Sequence, residues 1–417
     1  MTRTSLKVAV VSQYFFPENF IINEIVKELA ALGVHVEVFT GKPNYPSGEI
    51  FPGYQAQGCV EERFGDDVTV HRVPLRPRKQ GGAKNLILNY WSFVFNGARY
   101  FRKKARRGKF DIYFVFAPSP ILSVIPALAM KRVHRAPVFL WVQDLWPESL
   151  EATGFIHNKL LLRLVGVLVR GLYWSVDAIL VQSRAFIEPV RRYARADKIS
   201  YYPNSYLQDD VRAVGALPDT LTSLLQAHFC VVFAGNLGNA QGLATVVEAA
   251  RLLKASNSPA RIVMVGTGSK AQWLLEEKHR LGLDNLVITG AFPRSAMAEL
   301  FDRSAALLVT LKRDEIFGCT IPSKVQAYLA AGRPIIGSLD GEGARVINDS
   351  GAGVTCAAED GAGLAACIES IQGLSAAKRE QMGNHGRSYF LKHFELRAQC
   401  KALVQKFEQR IQQDKTQ

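Results

Sequence analysis

The segment CTIPSKVQAYLAAGRPIIGSLDGEG, residues 319–343, predicts a helix followed by a buried strand and fixes how the second half of the chain folds. A proline precedes a run of good helix formers, Gly332 ends that run, and Pro-Ile-Ile-Gly follows as a short hydrophobic strand. Ser323 and Lys324 fall in the first turn of this helix, and an acidic, glycine-rich loop containing Glu342 follows the strand. Helix starts of this kind offer free amides and a positive dipole end to anions.

Hydrophobic runs of five or six residues alternate with helical stretches along the whole chain, which predicts α/β architecture with parallel strands buried on both faces. The runs form two sets, separated by a polar, proline-containing stretch at 201–221. We therefore predict two Rossmann-like, doubly wound domains that face each other across an interdomain cleft. The predicted N-terminal domain spans residues 1–205, the C-terminal domain 206–390, and a C-terminal helix 391–417 packs back toward the first domain.

Two glycine-rich turns follow predicted strands of the second domain. The first runs from Gly235 through Gly238 into a helix, and the second starts at Gly266. Ligands of such sheets bind at the carboxyl ends of the strands. Neither turn matches the dinucleotide-binding or P-loop fingerprint, and each by itself is equally compatible with a structural role.

The composition is that of an ordinary globular protein, with 48% hydrophobic and 21% charged residues. Six scattered cysteines form no metal-ligand pattern, so we expect reduced thiols and no metal site. The uncharged run at 112–130 contains three prolines and predicts a strand, a loop and a short helix rather than a membrane span. The start of the chain lacks the features of a signal peptide, and we expect a cytoplasmic protein.

The order of these motifs resembles that of the family-4 retaining glycosyltransferases, which have the GT-B fold. The resemblance rests on the first glycine-rich turn, on VMVGTG at 263–268, and on the segments 286–311 and 321–337. The N-terminal strings at 10–48 and 141–154 are similar to a bacterial subgroup that builds surface polysaccharides, including N-acetyl-L-fucosamine transferases.

This resemblance implies transfer of a sugar, with retention of configuration, from a nucleotide donor to a lipid-linked saccharide in O-antigen, capsule or exopolysaccharide assembly. The donor implied is a UDP sugar, the acceptor is carried on a polyprenyl diphosphate, and neither a cofactor nor an obligatory metal is expected. A GT-B epimerase acting on a UDP sugar and a catalytically weak homologue remain alternatives.

The resemblance also implies the donor site. Lys324 is the principal catalytic candidate because its ammonium would stabilise the charge that grows on the leaving diphosphate; a solvated surface lysine is the alternative. The residues expected to bind the donor are Gly235, Asn236, Gly238, Gln241, Gly266, Gly290, Phe292, Pro322, Ser323, Lys324 and Glu342.

The sequence departs from the family pattern at this site. Cys319 and Ala327 occupy the positions of two glutamates that many members carry, and Asn236 and Gln241 replace a typical arginine and lysine. Phosphate contact is therefore expected to depend on amides and on Lys324.

Four polar residues of the N-terminal domain are candidates for the acceptor side. Asp144 follows a predicted strand and is a second catalytic candidate, as the group that orients the acceptor hydroxyl or accepts its proton; an N-cap role is the alternative. Glu148, Glu18 and Asn19 are expected to contact the acceptor.

The N-terminal half is strongly basic. Residues 1–205 hold 28 Lys and Arg against 16 Asp and Glu, a net charge of +12 of the total +14. The segment 83–109 combines aromatic and basic residues at helical spacing, which predicts a helix on the anionic inner-membrane surface and hence peripheral attachment from the cytoplasmic side. The residues expected to face the membrane are Trp91, Phe95, Arg102, Lys103, Arg106 and Arg107.

Two other interpretations of these basic and apolar segments were weighed. The aromatic residues of 83–109 can instead belong to the core, with the basic run as a solvated helix end. Nucleic-acid binding is disfavoured because no recognition module accompanies the charge. The apolar segment 159–181 is predicted to be a core helix followed by a strand.

Overall fold

A computed structural model describes residues 5–79, 82–208 and 217–416. The chain forms two compact units. Unit 1 comprises Met1–Ser205 together with Leu396–Gln417, and unit 2 comprises Tyr206–Glu395. The chain thus returns to unit 1 after Glu395, five residues beyond the predicted end of the second domain.

Unit 1 contains an eight-stranded sheet with the order β3-β4-β2-β1-β5-β6-β7-β8, parallel except for the antiparallel pair β3-β4. Most of its central strands are buried along nearly their whole length, as a sheet covered on both faces requires. The strands are β1 Lys7–Ser12, β2 His35–Gly41, β3 Val60–Phe64, β4 Val68–Val73, β5 Ile112–Ala117, β6 Val138–Val142, β7 Ala178–Val181 and β8 Ile199–Tyr201.

Six helices connect these strands, namely α1 Ile21–Ala31, α2 Ala83–Ala105, α3 Ile125–Lys131, α4 Glu148–Ala152, α5 Lys159–Ser175 and α6 Ile187–Arg191. The crossovers through α2, α3 and α5 all advance across the sheet in one direction, and the crossover through α1 runs the other way. Because parallel crossovers are right-handed, α2, α3 and α5 share one face of the sheet and α1 covers the other.

Unit 2 contains a six-stranded parallel sheet with the order β11-β10-β9-β12-β13-β14. Its strands are β9 Cys230–Ala234, β10 Arg261–Val265, β11 Leu286–Gly290, β12 Ala306–Thr310, β13 Ile335–Ser338 and β14 Gly353–Cys356. Its helices are α7 Asp219–Ala227, α8 Leu243–Ala255, α9 Ala271–Arg280, α10 Met297–Arg303, α11 Glu315–Cys319, α12 Ser323–Ala331, α13 Gly341–Asp349, α14 Gly361–Gln372 and α15 Ala376–His393. Separate hydrophobic clusters cover the two faces of this sheet.

The final helix, α16 (Leu396–Thr416), belongs to unit 1. Leu403 and Phe407 are fully buried in the cluster that also contains residues of β1 and α1. The Phe407 ring meets Phe114 of β5 and Phe139 of β6 at centroid distances of 5.6 and 4.9 Å. The last helix therefore completes the core of unit 1.

The segment 319–343 folds as predicted in its centre and differs at both ends. Gly332 ends α12 in the left-handed conformation, at φ 67°, and β13 follows. Pro322 is extended and precedes the helix instead of lying in its first turn. The predicted acidic loop is the start of α13, where Glu342 in the first turn pairs with Arg345 one turn later. A carboxylate at a helix start and an i,i+3 ion pair both favour this helix.

Candidate functional site

Lys324 lies in the first turn of α12 and is a largely buried cation. Its Nζ donates a 2.7 Å hydrogen bond to Gln241 Oε1 and lies 4.3 Å from the centroid of the Phe233 ring. Burial lowers the pKa of its ammonium to about 8. It forms an ion pair with no carboxylate among the described residues. A buried cation held only by an amide oxygen and an aromatic ring is positioned to receive an anion.

Three glycines bring the ends of neighbouring strands into backbone contact beside Lys324. The Gly235 amide donates to Val265 O, and the Gly266 amide donates to Gly290 O at 2.7 Å. A Cβ on Gly266 would lie 1.8 Å from Gly235 O, and one on Gly235 would lie 2.6 Å from Lys324 Cε. Glycine is therefore required at these positions because the backbone and Lys324 occupy the space of a side chain.

The site lies between β9 and β12, where the chain reverses its direction of advance across the sheet of unit 2. The chain proceeds from β9 through β10 to β11, and then returns to place β12 on the other side of β9. Ligands of open α/β sheets bind at such switch points, outside the carboxyl ends of the strands.

A cavity of about 620 Å³ opens beside Lys324 and is lined entirely by unit 2. Of the predicted donor-binding residues, Gly235, Ser323 and Lys324 line it. Ala327, at one of the two positions where a glutamate is typical, also lines it and contributes no charge. The volume suits a small-molecule ligand.

The remaining predicted donor residues do not line the cavity. Asn236 is exposed, and its amide lies beside Gly238 and Gly268. Gln241 reaches the site through its bond to Lys324, while Phe292 packs partly buried against the core.

Glu342 lies apart from the cavity lining, although the start of its helix packs against Pro322. A Cβ on Gly343 would lie 3.0 Å from Pro322 Cδ. The Glu342 carboxylate is buried and accepts two 2.9 Å hydrogen bonds from the Arg345 guanidinium. The structure thus gives Glu342 a role in holding α13.

Glu18, at the end of β1 in unit 1, is buried and acts on the backbone. Its carboxylate accepts hydrogen bonds from the amides of Phe15 at 3.1 Å and of Asn44 and Tyr45 at 2.8 Å. Burial raises its pKa to about 7 against the lowering effect of these bonds. Glu18 therefore has a structural role, its predicted contact with the acceptor stays a prediction, and Asn19 beside it is exposed.

Asp144 and Glu148 lie where β6 leads into α4. The Asp144 Oδ2 accepts a 3.1 Å hydrogen bond from Trp146 Nε1, and the side chains of Ser119 and Ser149 near this carboxylate act to lower its pKa. Burial raises the pKa of Asp144, as it raises that of Glu148, whose Oε1 lies 3.8 Å from Arg192. Both carboxyl groups are partly accessible, and the residue at the cap of α4 is Pro147 rather than Asp144.

The predicted membrane-facing helix exists as α2 and divides into two faces. Tyr90, Phe93 and Phe101 are buried, so part of the aromatic content belongs to the core. Trp91 and Phe95 are 51% and 68% exposed. The four predicted cations, Arg102, Lys103, Arg106 and Arg107, are also exposed.

The prediction that 159–181 is a core helix and strand is wrong for its helix, α5. This helix buries one face and leaves a second apolar face in solvent, where Leu164 is 59%, Val167 70% and Trp174 77% exposed. Hydrophobicity identified a helix, but it could not identify which face a neighbouring element covers. The other exposed apolar residues are Leu160, Leu161 and Leu168.

Several residues at the site were missed by the sequence reasoning. Arg294 and Arg387 both line the cavity, and Tyr328 receives the amide hydrogen of Ala234 at its hydroxyl, at 3.0 Å. The position of Arg294 just beyond β11 was a usable signal, since loops at carboxyl ends of strands bind ligands. Arg387 comes from α15, and nothing in its local sequence indicates this placement.

Two searches of the described part of the chain gave no further site. No group of three or more His, Cys, Asp or Glu residues there is arranged to hold a metal ion. No helix there is both long and apolar enough to cross a bilayer.

Two family models match the chain. A Glycosyl transferase 4-like domain matches residues 19–205, and a Glycosyl transferases group 1 domain matches residues 228–372. These matches fall on unit 1 and unit 2 respectively.

Two curated relatives carry the same assignment. WcaI of Escherichia coli strain K12, named as a colanic acid biosynthesis glycosyl transferase, is 26% identical over 324 residues, which are 74% of this chain and 76% of WcaI. WbjE of Pseudomonas aeruginosa, named as a glycosyltransferase, is 27% identical over 266 residues, which are 61% of this chain and 63% of WbjE.

The fold matches solved structures over nearly the whole chain. HepE of Anabaena, solved in complex with UDP, superposes with a TM-score of 0.67 at 12% identity, covering 97% of this chain and 100% of HepE. The predicted GT-B fold is thereby confirmed. With a glycosyltransferase domain matched on each unit and two relatives named as glycosyltransferases, one of them of colanic acid biosynthesis, the chain belongs to the family-4 glycosyltransferases of the GT-B fold.

Proposed function

We propose that this glycosyltransferase moves a sugar, with retention of configuration, from a UDP-linked donor to a saccharide carried on a polyprenyl diphosphate. The observation that carries the donor half of the proposal is Lys324, a largely buried cation without a carboxylate partner among the described residues, beside a cavity of about 620 Å³. The complex of HepE with UDP supports UDP as the nucleotide to test first.

The leaving diphosphate explains why a lysine is needed here. As the glycosidic bond breaks, negative charge grows on the diphosphate oxygens, and a fixed ammonium nearby stabilises the transition state more than the ground state. The amides of Ser323 and Lys324 open α12 and have no acceptor earlier in the helix, so they add a second source of positive potential. With this charge supplied by the protein, we expect no obligatory metal.

Asp144 is the proposed partner of the acceptor hydroxyl in unit 1. Ser119 and Trp146 orient its carboxylate, and burial raises its pKa, which makes it a stronger base than an exposed aspartate once ionised. Membership in the family-4 group supports retention, which is part of the proposal.

A lipid-linked acceptor requires a surface that reaches the membrane, and unit 1 offers one. Exposed apolar residues lie on both α2 and α5, and these helices share one face of the sheet with α3, which is followed by the exposed residues Arg132 and Arg135. Apolar side chains with surrounding cations are suited to the interface of an anionic bilayer. We call this α2-α3-α5 layer the basic-apolar face and propose that it attaches the enzyme peripherally to the cytoplasmic side of the inner membrane.

The donor assignment is tested by thermal unfolding with a panel of nucleotides and nucleotide sugars. UDP should raise the melting temperature of the wild type, because a ligand that binds the folded state stabilises it. Lys324→Ala should lose this shift, while Lys378→Ala, which removes an exposed lysine of α15, should keep it. An equal UDP shift in wild type and Lys324→Ala would refute the assignment.

Transfer is then distinguished from epimerisation by measuring UDP release with the stabilising donor. Release that requires a membrane extract containing lipid-linked saccharides supports transfer. Conversion of the donor to a second sugar, or UDP release without any acceptor, supports the epimerase alternative.

A further inference from the structure

We propose that Arg78, held by the rings of Tyr14 and Tyr45, forms an anion-binding site in unit 1 and binds the diphosphate group of the acceptor. We call this site the anion seat. The inference rests on the proposed lipid-linked acceptor and assigns a residue to its charged group. The expected ligand is a diphosphate ester whose apolar chain points away from the core of unit 1.

Two aromatic rings hold the Arg78 guanidinium. Its Cζ lies 5.3 Å from the centroid of the Tyr45 ring and 6.0 Å from that of Tyr14. The two rings are 5.8 Å apart, and Phe20 packs against both of them, at 5.2 Å from Tyr14 and 5.3 Å from Tyr45. Contact with the ring faces leaves the in-plane N–H groups of a guanidinium available for an oxyanion.

The backbone that carries Arg78 is fixed on both sides. On one side, the Arg76 amide donates to Ser92 Oγ at 2.8 Å, and Asn89 Nδ2 donates to Arg76 O at 2.6 Å. On the other side, the Lys79 amide donates to Gly48 O at 2.8 Å. Arg78 is therefore presented by a rigid segment, so little conformational entropy is lost when it binds a ligand.

Glu18 fixes the other half of the seat. By accepting the amide hydrogens of Asn44 and Tyr45, its buried carboxylate holds the turn that carries the Tyr45 ring. The structural role of Glu18 is thus to support the ring on which Arg78 rests.

Arg78 has no salt-bridge partner within residues 5–79, 82–208 and 217–416. This distinguishes it from Arg72, which is buried and pairs with Glu62 at 2.7 Å. A guanidinium held by rings without a counter-charge is suited to a phosphate or diphosphate, with which it makes charge-assisted, bidentate hydrogen bonds.

Tyr90 is near both the seat and Asp144, the proposed partner of the acceptor hydroxyl. Its hydroxyl bonds to Ser119, the charge of Arg78 acts to lower its pKa, and Asp144 acts to raise it. Arg78 contacts Tyr14, which follows β1, and Asp144 is near Ser119, which follows β5. The switch point of the sheet in unit 1 lies between these two strands.

Exposed apolar residues on α2 also offer a surface for the lipid part of this ligand. Tyr90 is on α2, and Ile87 and Trp91 of the same helix turn are 45% and 51% exposed on the basic-apolar face. A diphosphate at Arg78 would therefore have an apolar, solvent-facing surface within one helix turn for the start of its isoprenoid chain.

The test measures binding of farnesyl diphosphate to the full chain by calorimetry, with farnesol as the uncharged probe. Arg78→Gln should weaken farnesyl diphosphate binding by about tenfold or more, since a charge-assisted bidentate contact is lost. Arg76→Gln is the matched control, because Arg76 is exposed and only its backbone takes part in the contacts described above. Farnesol binding should be the same in all three proteins.

Three further measurements separate the alternatives. UDP binding should be unchanged in Arg78→Gln, which shows that unit 2 is intact, and unchanged tryptophan fluorescence should show that unit 1 is folded. Lys324→Ala should still bind farnesyl diphosphate, and phosphatidylglycerol vesicles should bind wild type and Arg78→Gln equally. If Arg78→Gln weakens farnesyl diphosphate binding but UDP does not bind the wild type, the seat is supported and the proposed UDP donor is refuted.

Four outcomes would overturn the seat. They are unchanged farnesyl diphosphate binding in Arg78→Gln, an equal loss in Arg76→Gln, a loss confined to Lys324→Ala, and an effect of Arg78→Gln on vesicles alone. The last would identify a lipid headgroup as the source of the phosphate.

Discussion

At the scale of single residues, the site depends on charges that the fold holds in unfavourable surroundings. Lys324 is the clearest case, because burial alone lowers its pKa from 10.5 to about 8. A group in this position gains the most from an anionic ligand, which restores a counter-charge in a low-dielectric site.

The first prediction concerns the pH dependence of UDP binding. Lys324 is protonated below about pH 8 and loses its charge above it, so the dissociation constant for UDP should rise about tenfold between pH 7 and pH 9. Isothermal titration across this range measures it. Lys324→Arg should bind UDP with an affinity nearly constant over the same range, because guanidinium stays charged. The same decline in both proteins would exclude Lys324 as its cause.

The second prediction concerns the stability contribution of Glu18. Its folded pKa of about 7 lies above the ordinary value of 4.5, so the native state binds the proton more tightly and stability falls as pH rises from 4.5 to 7. Glu18→Gln removes this titration. The free energy of unfolding of wild type relative to Glu18→Gln should therefore fall by about 2–3 kcal/mol between pH 5 and pH 8.

Chemical denaturation at the two pH values measures this difference. Glutamine cannot accept all three amide hydrogens, so the variant should be less stable than wild type at pH 5. A difference independent of pH would show that the buried carboxylate does not titrate in this range.

At the scale of elements, one helix layer of unit 1 has two different faces. The inner faces of α2 and α5 pack on the sheet, as the buried Phe93 and Val169 show. Their outer faces carry large apolar residues and cations. A large exposed apolar patch commonly marks an interaction surface.

The third prediction is that α5 contacts the bilayer. The double substitution Leu164→Glu and Val167→Glu should reduce binding to phosphatidylglycerol-containing vesicles by about tenfold, because two apolar contacts are lost and two like charges are added. Cosedimentation at low and high salt measures it, and binding should weaken with salt because the cations contribute.

The matched control places the same chemistry elsewhere. Leu275, on α9 of unit 2, is 38% exposed, and Leu275→Glu should leave vesicle binding unchanged. If the double variant instead binds vesicles normally and converts an oligomer into a monomer, the occupant of the α5 face is a second copy of the chain.

At the scale of the whole molecule, the chain closes unit 1 with its last segment. Phe407 of α16 is fully buried and packs against β5 and β6, although it is encoded after the whole of unit 2. Unit 1 therefore cannot complete its core until the entire chain is available.

The fourth prediction is that Phe407→Ala destabilises unit 1 by about 3–5 kcal/mol, the usual cost of truncating a buried phenylalanine. Tryptophan fluorescence can report it, because Trp91, Trp141, Trp146 and Trp174 are in unit 1 and only Trp273 is in unit 2. Gln405→Ala, on the exposed side of the same helix, should unfold like wild type. The melting-temperature shift of unit 2 with UDP should persist in both variants.

The sequence alone determined the α/β class, the strand series and the helix that starts at Ser323. These features are local: strands buried on both faces are apolar along their length, and a glycine such as Gly332 ends a helix through its own backbone conformation. The motif order likewise identified the family, because the strings around Lys324 and Asp144 are long and specific.

The tertiary structure alone decided which side chains meet and which faces remain in water. Leu164 and Val167 are as apolar as core residues, and they are exposed because no neighbouring element of the described chain covers them. Glu18 was predicted from the sequence to contact a ligand. In the structure its buried carboxylate holds the backbone, because it accepts hydrogen bonds from the amides of residues 44 and 45. Arg78 becomes a distinct site only when Tyr14 and Tyr45, far from it in the chain, supply the rings on which it rests. Contacts between distant segments depend on how the whole chain packs, and spacing along the sequence carries no record of them.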